Sequence, residues 1–370
     1  MADEASGTDG GSPSNARRLP RVFLGLTLLG VGVAYRWVQA PSTAPPAADA
    51  FSEPAAAAEE MTTLQGRAFG TSWSVKLLAP AVDDESAARA VQGTLESVDA
   101  AMSTYRDDST ISRLNRAPVG AWIAMGPEFA TVFEMAREVH EASDGAFDPT
   151  VGRLVRAWGF GRDDRPAAAP DVASLLGSVG LEHLETRRDP PAIRRSHPDV
   201  ELDLSAVAKG YAVDAVVAAL ADLGVTRCMV EIGGEVRTLG TGAGGRPWRI
   251  GVERPSAGAR QPLRVVPLQD AAMATSGEYR NVYELDGRTV SHTIDPRTGH
   301  PVTHDLASVT VVAATCARAD AWATALNVLG AEQGATRATS AGVEYLLYTG
   351  ANGEFEEFSS PGFPLPTDDR

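Results

Sequence analysis

Four stretches of the chain carry apolar residues three or four positions apart with charged residues between them, the pattern of an amphipathic helix. The stretches are Glu85–Met102, Pro127–Ala142, a segment from Ser205 to the glycine at 224, and Ala317–Leu329. Ser205 is a residue type that caps helices, and Gly224 and Gly330 are typical stops. We therefore expect four helices, the third capped by Ser205 and the fourth ending at Gly330.

Shorter stretches are rich in apolar and β-branched residues and predict strands. They are Thr71–Leu78, Val200–Leu204, Cys228–Ile232, Arg249–Glu253, Leu263–Leu268, Tyr279–Leu285, Arg288–Ile294 and Leu306–Ala313. Asp286 and Gly287 separate two of them, and this dipeptide favours a tight hairpin turn. Because strands and helices alternate irregularly, the pattern predicts an α+β protein rather than a purely parallel sheet.

The first 60 residues differ from the rest of the chain. Residues 1–21 are rich in Gly, Ser and Asp and end on arginines, which predicts a disordered, basic-ended leader. Residues 22–40 contain an apolar run that is short for a membrane span, and we expect an export signal or a signal anchor. An Ala/Pro-rich linker follows at 41–60, a folded domain at 61–350 and a C-terminal tail at 351–370.

This reading places the mature protein outside the cytoplasm, in the periplasm or an equivalent compartment. The sequence leaves open whether the signal is cleaved or whether residues 22–37 stay in the inner membrane as an anchor.

Charge and cysteine content exclude several classes of protein. The chain has 33 Lys and Arg against 48 Asp and Glu, a net charge of −15, so a nucleic-acid partner is not expected. Cys228 and Cys316 are the two cysteines, too few for a disulfide scaffold or a four-cysteine zinc site. One disulfide and two buried thiols remain the alternatives.

Asp320 and Thr324 lie four positions apart in the last predicted helix, so their side chains project from one face. A carboxylate and a hydroxyl are hard oxygen ligands of the kind that Mg²⁺ takes together with substrate phosphates. Residues at this spacing on an Ala-rich helix are, however, more often solvated. The spacing alone therefore leaves the metal site open.

Two other segments carry candidate chemistry. Asp203 ends a predicted strand, Lys209 follows in the first turns of a helix, and Gly210 permits close approach of a ligand or another segment. His292 is a candidate general base near neutral pH. Each has an ordinary structural alternative: a capping carboxylate, a solvated helix lysine and a structural histidine on a strand.

Familiar enzyme motifs are missing from the sequence. It contains no metalloprotease HExxH, P-loop or GxSxG, and its one GxGxxG match, GTGAGG at 240–245, does not open any of the predicted helices, as a dinucleotide-binding motif would. Taken singly, the candidate residues therefore do not identify a reaction.

Eight blocks, in their order along the chain, resemble the ApbE family of FAD:protein FMN transferases. The blocks are FGTSWSVKL (69–77), STYRDDSTISRLN (103–115), GAFDPTVGRLVRAWGFG (145–161), LDLSAVAKGYAVD (202–214), EIGGE (231–235), ATSGEYRN (274–281), SHTIDPRTGHP (291–301) and SVTVVAATCARADAWATAL (308–326). The resemblance spans residues 61–350, nearly all of the chain after the linker.

The resemblance implies an α+β fold related to the T-fold, with mixed sheets, packed helices and an FAD site between lobes. It also implies the activity of the family: Mg²⁺-dependent transfer of FMN from FAD to a Thr or Ser hydroxyl of a protein, with release of AMP. The acceptors it suggests are flavoprotein subunits of membrane electron-transfer complexes.

The family's functional positions can be carried over residue by residue. The metal positions match Ala206, through its backbone carbonyl, Asp320 and Thr324. The FAD-binding positions match Phe69, Tyr105, Ala146, Phe147, Asp148, Asp203, Lys209 and Ile294, with His292 as the candidate base. The family usually has Met where this chain has Phe69, and a Phe can still pack on an aromatic ring.

Two alternatives use the same residues. In an FAD pyrophosphatase, water replaces the protein hydroxyl and free FMN is released. In a non-catalytic flavin-binding protein, FAD is held uncleaved. The sequence does not separate the first of these from the transferase.

Overall fold

The structure is a computed structural model that describes residues 59–161, 165–255, 262–277, 282–351 and 354–365. The predicted leader, export segment and most of the linker lie outside these ranges. Among the described residues, none of the helices combines the length and apolarity that crossing a membrane requires.

Seven helices lie within the described ranges: α1 (Asp84–Met102), α2 (Thr110–Arg116), α3 (Pro127–Ala142), α4 (Gly152–Ala157), α5 (Val172–Leu176), α6 (Ser205–Asp222) and α7 (Cys316–Ser340). The first strands are β1 (Met61–Ala68), β2 (Thr71–Leu78), β3 (Ile123–Ala124), β4 (Leu184–Arg188), β5 (Pro191–Arg195), β6 (Cys228–Ile232), β7 (Glu235–Leu239), β8 (Trp248–Glu253) and β9 (Pro262–Leu268). The remaining strands are β10 (Ala272–Gly277), β11 (Val282–Leu285), β12 (Arg288–Ser291), β13 (Ile294–Asp295), β14 (His300–Pro301), β15 (Leu306–Ala313), β16 (Glu344–Ala351) and β17 (Glu354–Ser359).

An eight-stranded antiparallel sheet forms the centre of the molecule, in the order β1-β2-β6-β7-β10-β15-β16-β17. Helices α1, α6 and α7 cover one face and share the main apolar core with it. The β8–β9 hairpin covers the other face through a second core that includes Trp248 and Tyr348. This arrangement of helices on an antiparallel sheet confirms the predicted α+β class.

Most of the predicted elements are confirmed to within a few residues, including Pro127–Ala142 and Leu306–Ala313 at their predicted bounds. The Asp286-Gly287 turn joins β11 and β12 and has positive φ at both residues (51° and 71°). The beginning of the predicted strand Tyr279–Leu285 lies outside the described residues, and the return strand ends at Ser291, before His292.

Val200–Leu204 is not a strand, contrary to the prediction. The segment is extended and buries Val200, Leu202 and Leu204, which explains its strand-like pattern. Its backbone pairs with a side chain rather than with a strand. The Asn115 amide accepts from the Leu202 N–H (2.9 Å) and donates to the Leu202 carbonyl (2.8 Å).

The predicted Ser205 cap is also wrong. No described side chain caps α6 at its N-cap position, which is Leu204. Instead, the Ser205 N–H donates to Asp203 Oδ1 (2.8 Å).

The last predicted helix is longer than expected. Gly330 interrupts α7 with a φ of 75°, but the chain resumes a helical course to Ser340. His304 Nε2 donates to the Asn327 carbonyl at the break (2.7 Å). The glycine therefore marks a kink inside α7 rather than its end.

The C-terminal boundary at 350 was predicted too early. Strand β17 pairs with β16 along the edge of the main sheet, and Phe363 is buried in the second core. These residues are an integral part of the folded domain rather than a tail.

We expect Gly210→Ala to lower the free energy of unfolding by about 3 kcal/mol, the upper range for overpacking a core. A Cβ at this position would overlap the Cys316 carbonyl and lie 2.7 Å from Ala317 Cα, both in the backbone of α7. Gly93→Ala, in the exposed face of α1 with nothing within 4 Å of the added Cβ, should raise the free energy by about 0.5–1 kcal/mol. Urea unfolding of both variants measures the difference, and equal stabilities would contradict this account of the helix contact.

Both thiols should be inert in the folded protein. Cys228 and Cys316 are free and fully buried, and burial raises the pKa of the Cys228 thiol to about 12. Because the thiolate is the reactive form, Ellman's reagent should label neither residue at pH 8 and both after unfolding. Rapid labelling of the folded protein would show that the burial is wrong.

Candidate active site

A cavity of about 1150 Å³ opens beside the main sheet, a volume at the upper end for small-molecule sites. Five parts of the fold meet there: the start of α6, the middle of α7, the loop after α3, the segment after β12 and the β6–β7 turn. Their cavity-lining residues include Ala146, Phe147, Asp148, Asp203, Ala206, Lys209, Gly233, Glu235, His292, Ile294, Asp320 and Thr324.

Two carboxylates join α6 and α7 through hydrogen bonds to backbone N–H groups. Asp214 on α6 accepts hydrogen bonds from the Cys316 and Ala317 N–H groups (2.8 and 2.9 Å). These groups begin α7 and have no carbonyl partner within the helix. In the opposite direction, Asp320 Oδ2 on α7 accepts from the Gly210 N–H of α6 (3.0 Å). The contact is this close because Gly210 has no side chain, and it brings Asp320 to the first turns of α6.

The Ala206 carbonyl is a further oxygen at the start of α6. In an α-helix, the N–H of residue 210 is the regular donor to the carbonyl of residue 206. A carbonyl oxygen has two lone pairs, so the Ala206 oxygen has capacity for another partner beside a helical hydrogen bond. Ala206 itself lines the cavity.

Three charged side chains cluster beside this contact. Lys209 Nζ lies 2.6 Å from Glu235 Oε1 and 3.7 Å from Asp320 Oδ1, and both carboxylates are about 95% buried. Burial favours the neutral amine, but the two carboxylates dominate and raise the pKa of Lys209 above its usual value. Burial raises the pKa of Asp320, while Lys209 opposes this effect and Glu235 adds to it. With all three groups ionised, the cluster carries one excess negative charge.

The donors present fit a divalent cation that prefers oxygen. Asp320 supplies a carboxylate, Thr324 lines the same cavity one turn further along α7, and Ala206 lines it from α6. The described residues contain no cluster of three His, Cys, Asp or Glu side chains, so they form no complete protein cage for a metal. Mg²⁺ needs none, because it commonly takes one or two protein groups plus water and phosphate oxygens.

The loop after α3 forms the second wall and is held by its own hydrogen bonds. The Phe147 N–H donates to Ser143 Oγ (3.0 Å), and Asp148 Oδ1 accepts from the N–H and the hydroxyl of Thr150 (2.7 and 2.5 Å). Burial raises the pKa of Asp148, partly offset by the bonds from Thr150. The loop therefore presents Ala146, Phe147 and Asp148 to the cavity in a fixed arrangement.

Asp203 and Tyr105 complete this side. The Asp203 N–H donates to the Pro149 carbonyl (2.7 Å), which joins the segment before α6 to the loop after α3. Tyr105 lies between α1 and α2, lines the cavity and is 70% exposed.

The third wall carries His292. Its ring lies 6.2 Å from the ring of Phe160 in an edge-on arrangement. The neighbouring Thr293 hydroxyl accepts from the Asn327 side chain of α7 (3.0 Å). This bond ties the His292–Ile294 segment to the helix that carries Asp320 and Thr324.

Eleven of the twelve candidate residues line this one cavity: Tyr105, Ala146, Phe147, Asp148, Asp203, Ala206, Lys209, His292, Ile294, Asp320 and Thr324. Phe69 is not among the residues that line it. It lies in the β1–β2 turn with a φ of 50° and packs against the main core. Phe69 is thus the one candidate that the structure does not bring to the cavity, and its contact with a ligand stays a prediction.

Sequence reasoning missed three residues that shape the site. Glu235 ends the EIGGE block and was not among the candidate residues. Asn327 lies on α7 one turn after Thr324, and Asn115 fixes the segment before Asp203. The EIGGE block was the one sequence signal near Glu235, and no periodicity points to either asparagine.

Known proteins resemble this chain over most of its length. A model of the ApbE family matches residues 69–347. Proteins named FAD:protein FMN transferase from Vibrio cholerae and Escherichia coli K12 are 37% and 34% identical over 309 and 314 residues. These matches cover 82% and 83% of this chain and 92% and 89% of the relatives.

Two solved structures are similar throughout the domain. The flavin transferase ApbE from Vibrio cholerae has a TM-score of 0.75 at 34% identity and covers 83% of this chain and 100% of its own. The apo flavinyl transferase ApbE from Pseudomonas stutzeri has a TM-score of 0.74 at 34% identity and covers 82% and 96%. The chain therefore belongs to the ApbE family.

Proposed function

We propose that this protein is a magnesium-dependent FAD:protein FMN transferase that works outside the cytoplasm. One observation carries the proposal. Eleven residues from separate segments of the chain, each matched to a family position for metal, flavin or catalysis, line a single cavity. Simple flavin binding would not require a metal-binding pair and a candidate base at the same site.

The start of α6 and the middle of α7 would hold the diphosphate of FAD. The N-terminal end of α6 would supply positive potential in a protein whose net charge is −15, and the Lys209 ammonium would offset part of the charge of the two carboxylates beside it. Asp320, Thr324 and the Ala206 carbonyl would hold Mg²⁺. When bound, the ion supplies charge neutralisation at the diphosphate.

His292 would take the proton from the acceptor hydroxyl. The hydroxyl oxygen then forms a phosphoester with the phosphorus of the FMN half, and the bond from that phosphorus to the bridging oxygen breaks. AMP leaves with the bridging oxygen. Asn327, through Thr293, keeps the His292 segment attached to α7 while this occurs.

We further propose flavoprotein subunits of membrane electron-transfer complexes as the acceptors. The support is the family resemblance together with the basic and apolar leader over residues 1–40, which suits export. An exported enzyme, soluble or anchored by its leader, would meet acceptor domains on the outer side of the membrane.

Intact-mass analysis of an acceptor domain tests the activity. The protein is incubated with FAD and Mg²⁺, with and without the acceptor, and nucleotides are separated by chromatography. We expect the acceptor to gain the mass of FMN less one water, because a phosphoester forms at its hydroxyl, while AMP appears in equal amount. Free FMN with unmodified acceptor would favour the pyrophosphatase, and uncleaved FAD in both samples would favour a flavin-binding protein.

Asp320→Ala should abolish this mass gain together with metal binding, because it removes the charged donor of the proposed metal site. Asp222→Ala, at the exposed end of α6, is the matched control and should retain both. Full transfer by Asp320→Ala would exclude the proposed metal site.

His292→Ala should leave FAD and metal affinity unchanged and slow transfer by about 10²–10⁴-fold, the usual contribution of a general base. His300→Ala is the matched control, since His300 is exposed on β14 and does not line the cavity. Single-turnover rates with saturating FAD measure the effect. A His292→Ala variant as fast as the parent protein would reassign the base.

A further inference from the structure

Lys209 lies between two buried carboxylates but is bonded to one of them. Its ammonium is 2.6 Å from Glu235 Oε1, a short charge-assisted hydrogen bond, and 3.7 Å from Asp320 Oδ1, beyond hydrogen-bond distance. A lysine side chain has four rotatable carbons and can reorient readily. The position of the ammonium therefore depends on the partner that holds it.

The two oxygens of Asp320 face different partners. Its Oδ2 accepts the Gly210 N–H, so Oδ1 is the atom that faces the Lys209 side. If the ammonium moved about 1 Å closer, it would take this oxygen in a hydrogen bond. A cation would then have to displace an ammonium from a buried ion pair.

Glu235 is fixed in place by the backbone before it. It begins β7 directly after Gly233 and Gly234, whose φ angles are 68° and 112°, and the Gly234 N–H donates to Glu231 Oε1 (2.8 Å). Its side chain is 94% buried. A carboxylate in this position has little freedom to follow the lysine.

The second oxygen of Glu235 indicates that this carboxylate does more than stabilise the fold. Oε2 is buried and has no hydrogen-bond partner among the described residues. An unpaired buried carboxylate oxygen destabilises a fold, and an uncharged residue here would avoid that cost. Among the described residues, this side chain accepts one hydrogen bond, which Lys209 donates to Oε1.

We propose that Glu235 is a positioning residue that holds the Lys209 ammonium away from Asp320 Oδ1 and so keeps this oxygen open to the divalent cation. This inference rests on the metal site of the proposed function. It assigns to Glu235 a role that acts through Lys209, with no direct contact to the metal. It also explains why two carboxylates accompany one lysine in a cluster that must accept a cation.

The test is a double-mutant cycle read out by binding of Mn²⁺ alone, an oxygen-seeking stand-in for Mg²⁺, to the FAD-free protein. Electron paramagnetic resonance measures the free ion. We expect Glu235→Gln to lower Mn²⁺ affinity about tenfold or more, as for other residues that orient metal ligands. In a Lys209→Met background, the same substitution should change the affinity less than about threefold, because no ammonium remains to block Asp320.

Glu235→Asp separates position from charge. It keeps the negative charge but withdraws the carboxylate by one methylene, so the bond to Lys209 is lost and affinity should fall as in Glu235→Gln. Glu185→Gln, which removes an exposed carboxylate paired with Arg194 outside the cavity, should leave affinity unchanged. If Glu235→Gln does not fold, Glu235→Asp with and without Lys209→Met gives the same comparison.

Two results would overturn the inference. An equal loss of affinity in both backgrounds, with Glu235→Asp binding like the parent protein, would mean that Glu235 acts by charge alone. If the parent protein and Asp320→Ala bind Mn²⁺ equally, the metal site of the proposed function fails, and the inference fails with it. Asp320→Ala included in the same experiment therefore distinguishes the two failures.

Discussion

Helices α6 and α7 touch backbone to backbone at Gly210, and the active site depends on this contact. Two carboxylates make it: Asp214 binds the first N–H groups of α7, and Asp320 binds the Gly210 N–H of α6. The second bond orients Asp320 toward the start of α6, where Ala206 and Lys209 also line the cavity. The hydrogen bond that packs the two helices therefore also positions Asp320, the charged ligand of the proposed metal.

Local charge matters more here than total charge. In the proposed function, a protein with a net charge of −15 would bind the diphosphate of FAD where the N-terminus of α6 and Lys209 line the cavity. The proposed divalent cation would be held beside that lysine. The Asn327–Thr293 bond links the segment after β12 to α7, so the candidate base and the helix that carries Asp320 and Thr324 form one connected unit.

Much of this was predictable from the sequence, for physical reasons. Helical spacing of apolar residues predicted α3 at its observed bounds, and stretches of apolar and β-branched residues did so for β2, β6 and β15. The Asp286-Gly287 turn was predictable from the backbone preferences of these two residues. The extended segment before α6 was mistaken for a strand because burial of every second residue does not reveal that Asn115 binds its backbone. Glu235 was missed because its partner Lys209 is 26 positions away, and sequence spacing carries no information about such contacts. Phe69 was carried over by resemblance, and its position in the β1–β2 turn depends on packing that the motif does not encode.

A crystal structure of the protein with FAD and Mg²⁺, trapped by His292→Ala, tests the central claim most directly. The account predicts an ion bound by Asp320 Oδ1, the Thr324 hydroxyl and the Ala206 carbonyl at about 2.1 Å, in contact with the diphosphate of FAD. Lys209 should still be bonded to Glu235. A diphosphate bound away from the α6–α7 contact, or an ion held by other residues, would contradict the account.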